Sequence, residues 1–419
     1  MREMKNSGIE WIGDFPSDWT LKRNKVVFSC SKDIVGNNSA NTQLLSLTTR
    51  GVKLKSQDTL GGKTPESFDT YQYVNKDDII MCLFDLDCSA VFSGISPYDG
   101  MISPAYKILK CRESVYPQYV DYWFSFVFID RKFKSYAKNL RYTLNYDEFA
   151  DLLMLCPSYP EQKKIADYLD EKCAEIDTVI EKTKATIEEY KKLKQSVITQ
   201  AVTKGIRPNR PMKDSGIEWI NKIPAEWNSV NPKALFEQRK EKAKQGERQL
   251  TASQQYGVVY QDEYMEMTGS KVVTVEKDFD ILKHVESGDF VISMRSFQGG
   301  LEYSEKTGSI SSAYVMLIPN TKFVYPRFYR WLLKSSMYIN ALQSTSNMVR
   351  DGQAMRYSNF AQVRLYTVPI KEQEEIADYL DKKCAWIDEL IAKKTILLSE
   401  LESYKKSLIY EYVTGKKEV

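Results

Sequence analysis

The most regular pattern of hydrophobic and polar positions along the chain is a narrow apolar stripe in two long segments. Apolar residues return at spacings built from threes, fours and sevens, starting from Ile165 in one segment and from Ile376 in the other. This spacing is typical of long helices that pack along a single seam. The predicted seam residues are Ile165, Leu169, Ile176, Ile180, Ile187, Val197, Ile376, Leu380, Ile387, Ile391, Leu398, Leu401 and Leu408.

The ends of both helices are marked in the sequence. Ser158 and Glu161 have the S-x-x-E spacing of a capping box, while Lys204-Gly205 and Gly415-Lys416 suit helix ends. Each helix should run for about 40 to 45 residues, or about 60 to 65 Å at 1.5 Å per residue. Helices of this kind need a partner for stability, so we expect an antiparallel coiled coil. The alternative is that each helix lies on its own domain.

The chain also repeats itself. Met4 to Trp19 (MKNSGIEWIGDFPSDW) matches Met212 to Trp227 (MKDSGIEWINKIPAEW) without a gap. Glu161 to Asp177 (EQKKIADYLDEKCAEID) matches Glu372 to Asp388 (EQEEIADYLDKKCAWID). A globular unit followed by a helix is therefore used twice.

This repeat predicts the domain organisation and the fold class. We expect two α/β or α+β domains at 1–157 and 206–368, a central helix at 158–205 and a C-terminal helix at 369–419, with a pseudo-twofold relation between the halves. Between the matched ends, the two copies differ almost everywhere that is not apolar or a turn residue. The same fold with two different surfaces explains this, although drift after duplication would also produce it.

Composition narrows the class of protein. The 419 residues are 42% hydrophobic and 27% charged, which suits a folded protein with at least two cores. No run of about 18 apolar residues could span a membrane, and the charged first residues do not resemble a secretory signal, so we expect a cytoplasmic protein. The seven cysteines form no C-x-x-C pair and are expected to be reduced thiols.

Catalytic and cofactor motifs are missing from the sequence. His284 is the one histidine, which argues against histidine-based catalysis and multi-histidine metal sites. Asn231-Pro232-Lys233-Ala234 begins like a methyltransferase motif but lacks its second proline and its aromatic residue. Gly61 to Thr64 resembles the end of a P-loop, but Gln57 stands where the first glycine is needed. We therefore expect no enzymatic activity, no metal and no cofactor in this chain.

In these repeated motifs the chain resembles a known family, the specificity subunits of type I restriction-modification enzymes. The resemblance covers the whole chain and is carried by SGIEWIG-x-x-P-x-x-W at Ser7 to Trp19, its copy at Ser215 to Trp227, and EQ-x-x-IADYLD at Glu161 and Glu372. The order domain, helix, domain, helix makes it specific.

The resemblance implies a division of labour. Each domain would read one half of a split site in double-stranded DNA, and the helices would set the gap and bind two modification (methyltransferase) subunits. Those partners would methylate adenine with S-adenosylmethionine, and a separate ATP-driven restriction subunit would cut unmodified DNA.

Base readout favours Arg, Lys, Asn and Gln on loops, and loops that differ between the two copies supply candidates. Arg50 and Tyr256 lie beside equivalent turn glycines, and another loop runs from Met294 to Gly300 opposite Leu83 to Asp87 of the first copy. The DNA-binding candidates are Arg50, Lys53, Lys63, Arg141, Tyr142, Tyr256, Arg295, Gln298, Arg350, Gln353 and Arg356. The alternative for each is an ordinary solvated loop residue.

The net charge of the two domains does not by itself predict DNA binding. Residues 1–157 hold 19 basic and 19 acidic side chains, whereas residues 206–369 hold 22 and 17. The run Arg239, Lys240, Lys242, Lys244 and Arg248 is interpreted as a solvated face, with phosphate binding as the alternative. The aromatic residues after Pro117 are expected in a helix core rather than in a base-stacking platform.

Two other functions fit the same pattern. A free-standing DNA-binding regulator with two half-sites is the first, and a coiled-coil scaffold that contacts only proteins is the second. A regulator should bind DNA without partner subunits, and a scaffold should not bind DNA.

Overall fold

The computed structural model describes residues 2–56, 67–137, 142–272, 274–275, 281–293, 299–345 and 355–419. The chain divides into two compact units. Unit 1 holds Met1–Lys184 together with Ile396–Val419, and unit 2 holds Ala185–Thr395. Within the described ranges, no helix is both long enough and apolar enough to cross a membrane.

Unit 1 is built on two four-stranded sheets. Its strands are β1 Met4–Asn6, β2 Asp14–Pro16, β3 Thr20–Arg23, β4 Phe28–Ser31, β5 Leu44–Thr48, β6 Gly51–Lys55, β7 Gln72–Val74, β8 Ile79–Met81, β9 Ser93–Ile95, β10 Gly100–Ile102, β11 Lys107–Cys111 and β12 Leu153–Cys156. The sheet orders are β6-β5-β10-β7 and β4-β11-β8-β9, and β1-β2 and β12-β3 form separate pairs. All pairings are antiparallel except β5 with β10.

The helices of unit 1 close its core. They are α1 Asn24–Val27, α2 Pro117–Phe128 and α3 Tyr146–Asp151, with 3-10 turns at Gly36–Asn41 and Ile129–Tyr136. Pro117 opens α2, where its missing N–H leaves no intrahelical hydrogen bond unmade. Tyr119, Trp123, Phe124 and Phe126 of α2 are buried, so the expectation that these aromatic residues form a helix core is confirmed.

Unit 2 repeats most of these elements. Its strands are β13 Met212–Ile217, β14 Ile220–Pro224, β15 Asn228–Val230, β16 Phe236–Arg239, β17 Leu250–Ser253, β18 Gly257–Tyr260, β19 Lys283–Val285, β20 Phe290–Ile292, β21 Glu302–Tyr303, β22 Gly308–Ile310, β23 Val315–Pro319 and β24 Leu365–Thr367. Its helices include α5 Pro232–Leu235, α6 Gln261–Thr268, α7 Pro326–Leu332, α8 Ser336–Ser344 and α9 Tyr357–Gln362. In unit 2, β17-β18 and β19-β22 form separate pairs, and α6 has no counterpart among the described residues of unit 1. The sheet β16-β23-β20-β21 has the order of β4-β11-β8-β9 in unit 1. The sequence repeat is therefore a repeat of the fold.

Two long helices follow the globular parts, as the apolar stripes predict. The central helix, α4, spans Tyr159–Lys204 over 46 residues, and the C-terminal helix, α10, spans Ile370–Val413 over 44 residues. Gly205 and Gly415 follow them with φ of +73° and +69°, a conformation that glycine adopts without strain. Both helices contribute to both units, because the unit boundaries fall after Lys184 and after Thr395.

The two helices run antiparallel within each unit. In unit 1 the Tyr168 and Tyr412 rings are 4.6 Å apart, and Asp177 pairs with Lys405 at 2.7 Å. In unit 2 Lys194 pairs with Asp388 at 2.6 Å. Gly205, at the end of α4, lies close to Glu372 at the start of α10, since a Cβ at Gly205 would be 2.9 Å from the Glu372 carboxylate. Residue numbers rise along one helix as they fall along the other, so the predicted antiparallel packing is confirmed. The pseudo-twofold relation between halves stays a prediction.

The predicted seam residues are all at least partly covered. Ile165, Leu169, Ile176, Ile180, Ile187, Ile376, Leu380, Ile387 and Leu408 are buried, and Val197, Ile391, Leu398 and Leu401 are half-buried. Burial of a large aliphatic side chain stabilises a protein by about 1.5 to 3 kcal/mol. The seam therefore contributes much more to holding the helices together than their surface ion pairs do.

An arginine clasp ties each helix start to its own unit. In unit 1 the Arg2 guanidinium binds Glu161 at 2.6 Å and Asp18 at 3.0 Å, and lies 5.5 Å above the Trp19 ring. In unit 2 Arg210 binds the equivalent Glu372 and lies 5.6 Å above the Trp227 ring. Glu161 therefore binds an arginine rather than completing the predicted capping box with Ser158.

The glutamine beside each clasp fixes the helix start to a loop. Gln162 accepts from the Tyr116 N–H at 2.8 Å and donates to the carbonyls of Ser114 and Pro157. Gln373 makes the same three bonds, with the Tyr325 N–H at 2.7 Å and the carbonyls of Phe323 and Val368. These repeated glutamines attach each helix start to backbone groups of its own unit by three hydrogen bonds.

Candidate nucleic-acid interface

Equivalent hairpin turns carry Arg50 in unit 1 and Tyr256 in unit 2. Arg50 is exposed between β5 and β6, where its N–H donates to Thr48 Oγ1 at 3.1 Å. Tyr256 is 38% exposed between β17 and β18, where its N–H donates to Ser253 Oγ at 3.4 Å. The glycines that follow, Gly51 and Gly257, have φ of +82° and +71°. The two candidate side chains thus project from matched tips.

The neighbouring strand β6 adds a second candidate. Lys53 is exposed on β6, and the side chain of the adjacent Leu54 is also 53% exposed. Lys53 lies opposite Ser46 of β5, two residue pairs from the end of the hairpin. It could therefore contact the same ligand surface as Arg50.

A loop between β8 and β9 meets the Tyr142 segment in unit 1. The Leu86 N–H donates to the Tyr142 carbonyl at 3.1 Å, and the Leu144 N–H donates to the Leu83 carbonyl at 2.8 Å. Arg131 holds the other side of the loop through the carbonyls of Leu86 and Ser89, at 3.0 and 3.1 Å. The loop at Leu83 to Asp87 and the segment that begins at Tyr142, which the sequence suggested separately as DNA-binding loops, are therefore in contact.

In unit 2 the corresponding loop ends against the β17–β18 hairpin. Lys334 Nζ donates to the Gln254 carbonyl at 3.3 Å and to both Glu302 carboxylate oxygens at 2.9 and 2.7 Å. Burial raises the pKa of Glu302, and the Lys334 ammonium opposes that rise. A Cβ at Gly300 would lie 2.3 Å from the Leu333 carbonyl, so only glycine fits there. Lys334 thus fixes the hairpin that presents Tyr256.

The remaining predicted residues are placed unevenly. Arg356 is exposed at the start of α9, where its N–H donates to Asn359 Oδ1 at 3.1 Å. Six candidates lie outside the described residues: Lys63, Arg141, Arg295, Gln298, Arg350 and Gln353.

The basic run of unit 2 is partly occupied by internal ion pairs. Arg239 makes a bidentate pair with the buried Asp289 at 2.6 and 3.0 Å. Arg248 binds Asp262 at 2.7 Å and lies 3.6 Å from the centre of the Tyr260 ring. The three lysines between them, Lys240, Lys242 and Lys244, are exposed, so they are the members of this run available to a phosphate.

Sequence reasoning missed a basic groove in unit 1. An open groove of about 610 Å³ is lined by Trp11, Asp130, Arg131, Lys132, Lys134, Ser135, Ala137 and Tyr142. Lys132 Nζ donates to the Ile129 carbonyl at 2.8 Å, and burial lowers the pKa of Lys132. Residues 131–146 contain five basic side chains and no acidic one, a signal that was present in the sequence.

Comparisons with known proteins agree on the fold. No family model matches the sequence, and no curated protein sequence matches it. A chain from a structural study of complex assembly and conformational transition of the type I R-M system superposes with a TM-score of 0.68 at 13% identity, covering 96% of this chain and 99% of that one. The HsdS subunit from Thermoanaerobacter tengcongensis gives a TM-score of 0.52 at 13% identity, covering 96% and 98%. This chain therefore has the fold of these type I restriction-modification proteins.

Proposed function

We propose that this chain is the non-catalytic DNA-specificity subunit of a type I restriction-modification complex. Residues 1–157 and 206–368 are its two recognition domains, and the helices at 158–205 and 369–419 separate them. The observation that carries the proposal is the doubled unit: one fold, used twice, with a long helix clasped to each copy by the same arginine, glutamate and glutamine. The likeness in fold to type I restriction-modification chains over 96% of the length supports it.

Recognition of DNA is assigned to loops at the ends of sheets. Each domain reads one half of a bipartite site, with the hairpin tips at Arg50 and Tyr256 directed to the bases. An arginine can bind two acceptors of guanine, and a tyrosine hydroxyl can donate or accept one hydrogen bond. Because the two tips carry different side chains, the two half-sites differ.

The helices act as a spacer and a dock. A helix clasped at its start cannot turn against its domain, so the distance between the two reading surfaces is fixed by helix length. Two methyltransferase subunits bind along the helices and use S-adenosylmethionine, while ATP-driven restriction subunits join the complex to cut DNA. The chain itself holds no cofactor in this proposal, and it works in the cytoplasm, where the DNA is.

Sequencing of N6-methyladenine in the source genome tests the proposal. The comparison is between strains with and without this gene, both expressing the partner methyltransferase. Loss of methylation at one split motif is expected, and that motif gives both half-sites. An unchanged methylation pattern overturns the proposal.

A free-standing bipartite regulator is the second candidate, favoured by the same pair of hairpin tips. Gel-shift assays with and without the methyltransferase subunits separate the two. A regulator binds its site alone, whereas a specificity subunit gains its tight binding with partners. A scaffold that contacts only proteins shifts DNA in neither case.

A further inference from the structure

Unit 1 contains one short stretch with an excess of positive charge. Residues 1–157 are balanced at 19 basic and 19 acidic side chains, yet residues 131–146 hold five of the basic ones and no carboxylate. The corresponding residues of the second copy, 340–357, contain Arg350, Asp351 and Arg356 as charged side chains. The two copies are therefore unequal at this place.

Three of these cations, Arg131, Lys132 and Lys134, line one groove, and the backbone turns sharply where they begin. Asp130 and Arg131 have φ of +59° and +52°, a left-handed conformation that is unfavourable for residues other than glycine. Arg131 is held in it by its two hydrogen bonds to the β8–β9 loop, at 3.0 and 3.1 Å. Strained residues of this kind concentrate at functional sites, because the surrounding structure has to maintain them.

Aromatic rings form the walls of the groove. Trp11 donates from Nε1 to the Tyr136 hydroxyl at 3.1 Å, and Tyr142 lies on the other side. Lys134 Nζ lies 4.5 Å from the centre of the Tyr142 ring, and no carboxylate pairs with it among the described residues. The one acidic side chain in the lining, Asp130, is 85% exposed and 3.5 Å from Lys132. The lining therefore carries three cations against one anion.

The matching groove of unit 2 has different chemistry. It lies at Trp219, the repeat equivalent of Trp11, and has a volume of about 790 Å³. Its other described lining residues are Gly216, Ile217, Glu218, Met337, Asn340, Ala341, Ser344, Thr345, Gln362, Val363 and Arg364. Among these described residues one cation, Arg364, stands against one anion, Glu218, so they carry no excess positive charge.

We infer that the groove lined by Trp11, Arg131, Lys132, Lys134 and Tyr142 binds the sugar-phosphate backbone of DNA. The inference rests on the proposed function and assigns it a sequence-independent contact. Phosphates attract clustered Lys and Arg whatever the base sequence, and such contacts release counterions from the duplex. This contact gives the otherwise balanced first domain its hold on DNA.

Salt dependence tests the inference through Lys134, whose side chain makes no ion pair within the described part of the chain. The chain is assembled with its methyltransferase subunits, and the Kd for a random-sequence duplex is measured between about 50 and 200 mM salt. Each phosphate contact contributes about 0.9 to the slope of log K against log salt. Lys134→Gln should lower the magnitude of this slope by about 0.9. The ratio of the variant's Kd to the wild-type Kd should therefore be about threefold smaller at 200 mM salt than at 50 mM salt.

Two variants serve as controls. Lys134→Arg keeps the charge and should keep the wild-type slope. Lys76→Gln removes an exposed charge elsewhere in unit 1 and should also leave the slope unchanged. Thermal unfolding of each variant checks that the fold is intact.

The outcomes separate this inference from the proposed function. An unchanged slope for Lys134→Gln in a complex that still methylates a split site overturns the groove assignment and leaves the function standing. Weaker assembly with the methyltransferase subunits at an unchanged slope assigns the groove to protein contact and also overturns it. If no split site is methylated, the function fails, while the slope still reports on the groove.

Discussion

Lys405 Nζ lies 2.7 Å from both carboxylate oxygens of Asp177, and the repeat-equivalent residues Lys194 and Asp388 form the same pair at 2.7 and 2.6 Å. Each pair joins the central helix to the C-terminal helix within one unit. Because the aspartates are more than half exposed, each pair should stabilise the protein by only about 0.2 to 1 kcal/mol. Because the two pairs are equivalent in the repeat, they define the register of the helices while adding little to their stability.

Double-mutant cycles on these pairs should therefore give small and local couplings. Asp177→Asn with Lys405→Gln, and Asp388→Asn with Lys194→Gln, should each couple by no more than about 1 kcal/mol in urea unfolding. The mixed combination of Asp177→Asn with Lys194→Gln should show additivity. A large coupling in the mixed pair would contradict the register described for the helices.

The two arginine clasps should differ in strength. Arg210 and Glu372 expose only 9% and 2% of their side chains, whereas Arg2 and Glu161 expose 21% and 27%. Glu372→Gln removes the buried carboxylate that Arg210 and the Trp227 indole N–H bind, and leaves Arg210 paired with the exposed Glu226. It should therefore lower the free energy of unfolding by about 1.5 to 3 kcal/mol. Glu161→Gln, the matched control, should lower it by less. Equal losses in urea unfolding would show that the deeper burial of Arg210 and Glu372 does not make their ion pair stronger.

Stability should fall as the pH rises through the pKa of Asp121. Burial raises the pKa of this half-buried carboxyl to about 6, and the nearby Asp170 adds to the rise. Because the folded state holds the proton more tightly than the unfolded state does, this contribution is present below about pH 4 and lost above about pH 6. Asp121→Asn should flatten this part of the urea-midpoint profile, whereas Glu113→Gln, an exposed carboxyl, should not.

Lys334 should matter for reading one half-site only. Lys334→Met removes the contact to the Gln254 carbonyl and leaves the buried Glu302 carboxylate unpaired. We expect lower stability and relaxed specificity at the half-site read by unit 2, with the other half-site unchanged in the methylation pattern. Adding Glu302→Gln should restore part of the stability without restoring the specificity. Full recovery of specificity would mean that Lys334 does not position the hairpin.

Helix length should set the gap between the half-sites. Four residues inserted between Lys184 and Ala185, and four between Thr395 and Ile396, lengthen both helices by about 6 Å, which is the length of one or two base-pair steps. The methylated motif should then have a longer gap and the same two half-sites. Altered half-sites would contradict the spacer role. Insertion into one helix alone breaks the register and is the control.

The fold was largely predictable because its strongest signals are periodic or repeated. The seam from Ile165 to Leu408 and the two copies of the EQ-x-x-IADYLD segment gave the helices, their packing and the double unit. The use of Glu161 was not predictable, because its partner, Arg2, is 159 residues away and local spacing suggested a cap. The same holds for Asp378, whose spacing suggests Lys382 as a partner but which lies 3.0 Å from Arg327.

The interface was predicted only in part. Turn glycines identified the tips at Arg50 and Tyr256, since a positive φ is a local demand that glycine meets. Arg239 and Arg248 are basic in sequence yet neutralised in space by Asp289 and Asp262, which the run itself does not reveal.

The clasps also bear on how such chains can change specificity. Arg2, Gln162 and the residues they bind lie in one copy of the repeat, and Arg210, Gln373 and their partners lie in the other. A crossover between genes at the matched EQ-x-x-IADYLD segments would therefore transfer a globular domain together with its arginine and glutamine contacts. Contacts with the end of the other helix, such as that of the Tyr119 hydroxyl with the Val413 carbonyl at 3.3 Å, would have to be kept. Under the proposed function, such an exchange would replace one half-site and leave the other unchanged.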